Sequence, residues 1–254
     1  FILNQLSLLV GRPIYFNNLD PATDTLAVEE PSSLEQLFAF LLNKKIKKSG
    51  PLIRAVAIDP GHGGLETGAI AENGFKEKTV NLQVAQKLTK QLKMKLGIPI
   101  YLSRDGDYEL TLEQRLQPAS KEDVDIWLLL HAQSSLSPQP HGISLFIRPD
   151  EAATVDETDG EPEMPVNASL ELAESLALAL READIVVNGI YPSSLLSLGR
   201  GGLPSVQVEL GYLSHPEELK SLQDDNYQDR LAQALYQGIH DYAKSKKEKQ
   251  NEFN

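Results

Sequence analysis

The sequence predicts an α/β fold: a single three-layer domain with a twisted, mostly parallel (mixed) sheet flanked by helices, plus a short N-terminal appendage. Three observations carry this expectation. From Leu52 onward, short β-branched apolar runs alternate with amphipathic helical stretches, the pattern of strands joined by crossover helices. The stretch Val124–Leu130 is apolar apart from Asp125, as a strand covered on both faces must be. The length of 254 residues suits one large domain with a substantial core and a short extension.

The elements follow in order. Residues 1–50 read as an appendage or linker with one amphipathic helix: Leu34, Leu37, Phe38, Leu41 and Leu42 share a helix face. Ser33 and Gln36 fit a capping box ahead of it, and Lys44, Lys45, Lys47 and Lys48 suit its C-terminal dipole. The run 52–58 is a buried strand stopped by Asp59-Pro60-Gly61. Val80, Val84, Leu88, Leu92 and Leu96 form the buried stripe of a long helix that Gly97 and Pro99 end. Pro99–Leu102 is a second strand. Thr111 and Gln114 cap a short helix that Pro118 stops. Val124–Leu130 and Gly142–Ile147 are the third and fourth strands.

Seven acidic residues then fall between Asp150 and Glu163 with no Lys or Arg among them, which reads as a solvated surface loop. A helix over Leu170–Leu180 is capped by Asn167 or Ser169. Pro204–Glu209 is a late strand, Pro216 begins a helix, and Leu231, Ala234, Leu235, Ile239 and Tyr242 mark a final amphipathic one. The domain is placed at 51–244, with 245–254 as a basic, frayed tail.

Composition narrows the function. Lys and Arg number 24 against 36 Asp and Glu, a net charge of −12. A chain this acidic is unsuited to general nucleic-acid binding or to docking on anionic lipid through its overall field. There is no cysteine, which removes thiol nucleophiles, disulfide frameworks and Cys-type zinc sites. No apolar run approaches the length of a membrane span. The opening FILNQLSLLV lacks a basic flank and is broken by Asn4 and Gln5, so it does not read as a signal peptide.

In α/β sheets, ligands gather beyond the carboxyl ends of the strands. Three features fall there: Asp59-Pro60-Gly61-His62-Gly63-Gly64 after the first strand, His131 after the third, and Glu209 ending the late one. A histidine on a tight glycine-flanked turn is poorly placed for core packing. An acid at an apolar strand end is costly unless paired or bound. Metal binding uses these features together, since two imidazoles, one carboxylate and a water make a common catalytic zinc set. From the residues alone the carboxylate is open among Glu66, Glu72, Glu77 and Glu209; Glu77 opens the long helix, where the dipole already favours an anion. The chain has no G-x-S-x-G or H-E-x-x-H motif, and its glycine run fits neither the Walker nor the Rossmann pattern.

In sequence order, AIDPGHGG (57–64), EKTVNL (77–82), LSRDGDYELTLEQR (102–115), the strand ending at His131 and PSVQVELGYLS (204–214) resemble the zinc-dependent N-acetylmuramoyl-L-alanine amidases of the Amidase_3 type. The resemblance implies Zn2+ held by His62, Glu77 and His131, with Glu209 as catalytic acid/base. It also implies cleavage of the amide between the lactyl group of N-acetylmuramic acid and L-alanine, so the expected partner is peptidoglycan or its muropeptides. The expected location is the periplasm or the extracellular cell envelope, with any signal segment outside this chain. Asp59 is a candidate to orient the His62 imidazole. Two departures bear on substrate detail: the family's Ser-Ile-His-Ala-Asn reads Leu129-Leu130-His131-Ala132-Gln133 here, and its Phe-Leu-Ser-Asn reads Tyr212-Leu213-Ser214-His215. The acidic segment is not expected to form the occluding helix of regulated relatives. Two alternatives stand beside this reading: a homologue without turnover that binds peptidoglycan or regulates, and a zinc peptidase on stem peptides. Among the remaining histidines, His240 is assigned to the surface, His141 to a Pro-rich turn and His215 to the cleft border. The sequence assigns no activator protein and no oligomeric state.

Overall fold

A computed structural model describes residues 53–148, 168–198 and 203–252. The N-terminal appendage and its helix, the acidic segment 150–163 and the Asn167 cap lie outside the described residues. Six strands form one sheet: β1 (Ala55–Pro60), β2 (Ile100–Leu102), β3 (Val124–Gln133), β4 (Ile143–Ile147), β5 (Val187–Pro192) and β6 (Ser205–Tyr212). Their order is β2-β1-β3-β6-β4-β5. The first four in that order run parallel, while β4 is antiparallel to β6 and parallel to β5. The sheet is therefore mixed, as expected.

The helices are α1 (Glu77–Leu96), α2 (Leu112–Leu116), α3 (Ala168–Glu182), α4 (Pro216–Gln223) and α5 (Asp225–Glu252). The three layers are unequal. Val56, Ile58, Ile126, Leu128, Leu130, Val206 and Val208 pack in one core with Val84 and Leu88 of α1, Leu176 of α3 and Leu235 of α5. On the other face Ala55, Ala57, Trp127 and Leu129 meet Leu116 of α2, Ala119 and Leu198. Fully burying a Leu or Val is worth about 1.5–3 kcal/mol, and β3 contributes such residues to both faces. That two-sided burial is the reason its sequence shows no alternation. The exception within the run, Asp125, has its carboxylate bound by the backbone N–H and guanidinium of Arg54, and the pairing of β1 with β3 shifts register beside it.

Caps end the elements largely where the residue types place them. Thr111 and Gln114 form a reciprocal capping box at α2. Gly97 closes α1 in the left-handed conformation, its N–H donating to the Lys93 carbonyl. At α4, Pro216 takes the first position and His215 Nδ1 accepts the Glu218 N–H at 3.3 Å. Ser169 lies inside α3 rather than capping it, and its hydroxyl accepts the Ser205 N–H.

Two expectations need correction. Strand β5 has no counterpart in the sequence reading, because Asn188 and Gly189 interrupt its apolar pattern and its residues are only partly buried at the sheet edge. The tail expected to fray from residue 245 is helical through Glu252. Lys246 and Lys249 of α5 both reach Glu171 of α3, at 3.4 and 2.7 Å, which fastens the last turns to the body. Among the described residues, no helix is long and apolar enough to cross a membrane.

Candidate metal centre

The site forms at the carboxyl ends of the three central parallel strands. His62 follows β1, His131 lies near the end of β3, and Glu209 is its register partner on β6. Glu77 is the first residue of α1, aimed at the same end of the sheet. Its helix has no side-chain N-cap; the Glu77 and Lys78 N–H groups instead donate to the carbonyls of Ala69 and Thr67.

Side-chain donors converge on Glu77 Oε1. His62 Nε2 and His131 Nδ1 each lie 3.0 Å from it, and one atom from each of the three residues falls within 4.8 Å of the other two. The imidazoles meet edge to face with centroids 5.0 Å apart. Zinc bonds of about 2.0–2.2 Å at a tetrahedral angle would separate two donor atoms by about 3.4 Å. The two Glu77 spacings need only a few tenths of an ångström of adjustment, and with all three donor atoms within 4.8 Å of one another the set is compatible with a divalent metal. Of the four carboxylates left open by the sequence, Glu77 is the one in this cluster. Glu66 instead contacts His62 from behind, at Nδ1 (3.0 Å), and Glu72 is exposed.

Two glycines make the approach feasible. A Cβ on Gly61 would stand 2.1 Å from His131 Cε1. Gly68 is left-handed at φ +65, and a Cβ there would stand 2.5 Å from Glu77 Oε2 and 2.6 Å from His62 Cδ2. His62 itself sits at φ 62, a conformation that costs a non-glycine residue about 1–2 kcal/mol.

The surrounding hydrogen bonds hold that turn. Arg104, fully buried, donates to the carbonyls of Pro60, Gly61, Lys78 and Gly106 at 2.7–3.1 Å. Lys78 Nζ binds the Gly64 carbonyl and Asp107, whose other oxygen accepts the Gly64 N–H. Asn81, one helical turn beyond Glu77, donates to the Gly61 carbonyl at 3.2 Å.

The electrostatics separate the two buried acids. For Glu77, burial works toward a higher pKa. Hydrogen bonds from His131 and His62 and the Ala69 N–H outweigh it and hold the carboxyl far below the usual range. Glu209 is 7% exposed, and burial, helped by the Glu77 charge, raises its pKa despite the neighbouring histidines and a 2.7 Å hydrogen bond from Gln207. The cleft before these groups is also lined by Gln133, Ser134, Ser135, Pro140 and Tyr212.

Asp59 does not orient His62. It is bound by Ser103 and Arg115 beneath β1, and Glu66 occupies the His62 Nδ1 side. His215 caps α4, with its ring 5.3 Å from that of His141, while His240 stacks on Tyr236 along α5. The roles of Glu66, Arg104, Arg115 and Gln207 were not read from the sequence. The signals were present, because Arg104 and Arg115 lie within 102–115 and Gln207 stands two residues before Glu209. Nothing local says which distant carbonyl or carboxylate an arginine will meet.

Known proteins show the same arrangement of sequence. Residues 56–241 match the model of the N-acetylmuramoyl-L-alanine amidase family. N-acetylmuramoyl-L-alanine amidase AmiA of Escherichia coli K12 is 30% identical over 229 residues, covering 78% of each chain. The catalytic domain of CwlV, an N-acetylmuramoyl-L-alanine amidase from Bacillus (Paenibacillus) polymyxa var. colistinus, is 28% identical with a TM-score of 0.64, covering 75% of this chain and 98% of that one. An N-acetylmuramoyl-L-alanine amidase from Clostridium difficile 630 is 28% identical with a TM-score of 0.67, covering 76% and 98%. The match spans the sheet, α1 and every residue of the metal-compatible cluster, and so the chain belongs to the N-acetylmuramoyl-L-alanine amidase family.

Proposed function

We propose that this peptidoglycan amidase hydrolyses the lactyl–L-alanine amide in a zinc-dependent reaction, with His62, Glu77 and His131 as ligands and Glu209 as the acid/base. The catalytic domain spans 51–244 behind an N-terminal appendage. The enzyme works on the wall outside the cytoplasmic membrane, in remodelling or lysis. The observation that carries the reading is the convergence of three donors, 15 and 54 positions apart in sequence, beside a buried carboxylate. A buried carboxyl is costly even with the one hydrogen bond from Gln207, and handling a proton gives Glu209 a use.

A zinc ion in such a set supplies Lewis-acid polarisation of the amide carbonyl and a nucleophile at neutral pH. The chain's own residues do the remainder. Gln207 Nε2 holds Glu209 Oε1, which fixes the carboxylate plane. Glu209 takes a proton from the attacking water as the C–O bond forms, then delivers it to the alanine nitrogen as the C–N bond breaks. The products are a lactyl carboxylate and a stem peptide with a free L-alanine amino terminus. A raised Glu209 pKa suits both halves of that transfer.

The test combines elemental analysis with product analysis. About one zinc per chain is expected, with lytic activity lost on chelation and restored by zinc, and with new L-alanine amino termini on intact stem peptides. Cuts between peptide residues would assign the site to a peptidase, and full activity in metal-stripped protein would sink the zinc reading.

A further inference from the structure

We infer that Glu66 is a positioning residue for His62, held in place by a chain that runs through Arg115 to Asp59. The inference rests on the zinc reading above and deepens it.

His62 is engaged at both nitrogens: Nδ1 lies 3.0 Å from Glu66 Oε1, and Nε2 lies 3.0 Å from Glu77 Oε1. A carboxylate can only accept, so once a metal replaces the proton shared between Nε2 and Glu77, Glu66 would select the tautomer with the proton on Nδ1 and leave the Nε2 lone pair for the metal. His131 is arranged the other way, with Nδ1 facing Glu77. The two imidazoles would therefore offer different nitrogens to a metal, and among the described residues only His62 has a carboxylate on its other nitrogen.

Glu66 is half exposed, with 52% of its side chain accessible, and a free glutamate there would sample many rotamers. Two constraints remove that freedom. Its backbone pairs in both directions with Gly63, at 2.8 and 3.1 Å. Its Oε2 lies 3.4 Å from Arg115 Nη2, while Arg115 Nη1 lies 3.1 Å from Asp59 Oδ1. Arg115 is buried on α2, and Asp59 is buried and also bound by Ser103. One guanidinium thus spans the buried Asp59 carboxylate and the half-exposed Glu66 carboxylate, a geometry that a point charge on a lysine does not reproduce.

Metal-free protein is titrated with zinc against a chromophoric chelator for wild type, E66A, E66Q, R115M and R115K, with H62A as reference. E66A and E66Q are expected to weaken zinc binding by about 10–100-fold. R115M and R115K should weaken it as well, and R115M should add little in the E66A background because it acts through Glu66. R115K keeps a cation beside Asp59, which guards against simple misfolding. In zinc-loaded wild type, 1H–15N correlation should show a slowly exchanging proton on His62 Nδ1, lost in E66A. Zinc affinity of E66A within twofold of wild type, with that proton intact, overturns the inference. If H62A also binds zinc normally, the zinc site itself fails; if H62A loses zinc while E66A keeps it, only the positioning chain fails.

Discussion

Replacing Gly61 by alanine isolates the packing that brings His131 to the metal position. An added Cβ would lie 2.1 Å from His131 Cε1, 2.3 Å from Nε2 and 2.6 Å from Nδ1. Comfortable carbon contact needs about 3.5 Å, so a gap of about 1.4 Å must open. The backbone cannot supply it easily. The Gly61 N–H donates to the Leu130 carbonyl, and the Gly61 carbonyl accepts from Asn81 and Arg104. The imidazole must therefore move, by several times the ~0.2 Å that a metal–ligand distance tolerates. Gly61 is not left-handed, so the cost is steric: about 1–3 kcal/mol for overpacking. The metal-free variant should melt a few degrees below wild type and remain cooperative, while zinc affinity falls by more than ~100-fold, beyond the range of outer-shell substitutions. Gly97→Ala is the control. It forces a left-handed residue at the end of α1, where a Cβ meets nothing within 4 Å, so it should cost about 1–2 kcal/mol and leave zinc affinity unchanged. Chelator competition and thermal unfolding of the metal-free proteins read both quantities. A Gly61→Ala protein that melts lower yet titrates zinc as tightly as wild type would refute the reasoning.

Three further outcomes are expected. Glu209→Gln should retain zinc and lower kcat by about 10²–10⁴-fold, since the proton shuttle is lost; near-normal turnover with bound metal would exclude that role. Arg104→Met removes the donor to four backbone carbonyls around the His62 turn and should destabilise the metal-free protein by upwards of about 3 kcal/mol in urea unfolding, against which a change below about 1 kcal/mol would count. The hydrogen bond from Lys249, with Lys246 adding its charge, holds the Glu171 carboxyl below its ordinary value. A pKa depressed on folding means the contribution is present above the unfolded value, near about 4.3, and is lost as pH falls through the folded one. Amide protection factors, corrected for the intrinsic pH dependence of exchange, should therefore fall across residues 244–249 in acid while the turn around Leu235 stays protected; uniform protection would contradict the Glu171 anchor.

Much of the fold was legible along the chain. The four-residue spacing of Val80, Val84, Leu88 and Leu92 marked the buried face of α1, and all four are fully buried. Thr111 with Gln114, Gly97 and Pro216 marked helix ends because capping is a local matter of orphaned N–H and C=O groups. Strand β5 escaped because an edge strand with Asn and Gly carries little of that periodicity. The helical tail escaped because its anchor, Glu171, lies on another helix 75 or more positions away.

The site divides along the same line. The sequence by itself determined that a glycine-flanked histidine, a strand-end histidine and several acids fall at the active edge of an α/β sheet, and the order of its motifs pointed to the amidase family. Those are properties of spacing and residue type, which the chain carries without folding. The resemblance carried by those motifs already singled out Glu77, and the tertiary structure brings it to the histidines; only the tertiary structure decided that Glu66 stands behind His62 and that Asp59 serves Arg115. Each of those outcomes depends on where α1 and α2 come to rest against the strand ends, and that position follows from burying their apolar faces on the sheet rather than from any contact the polar residues make among themselves.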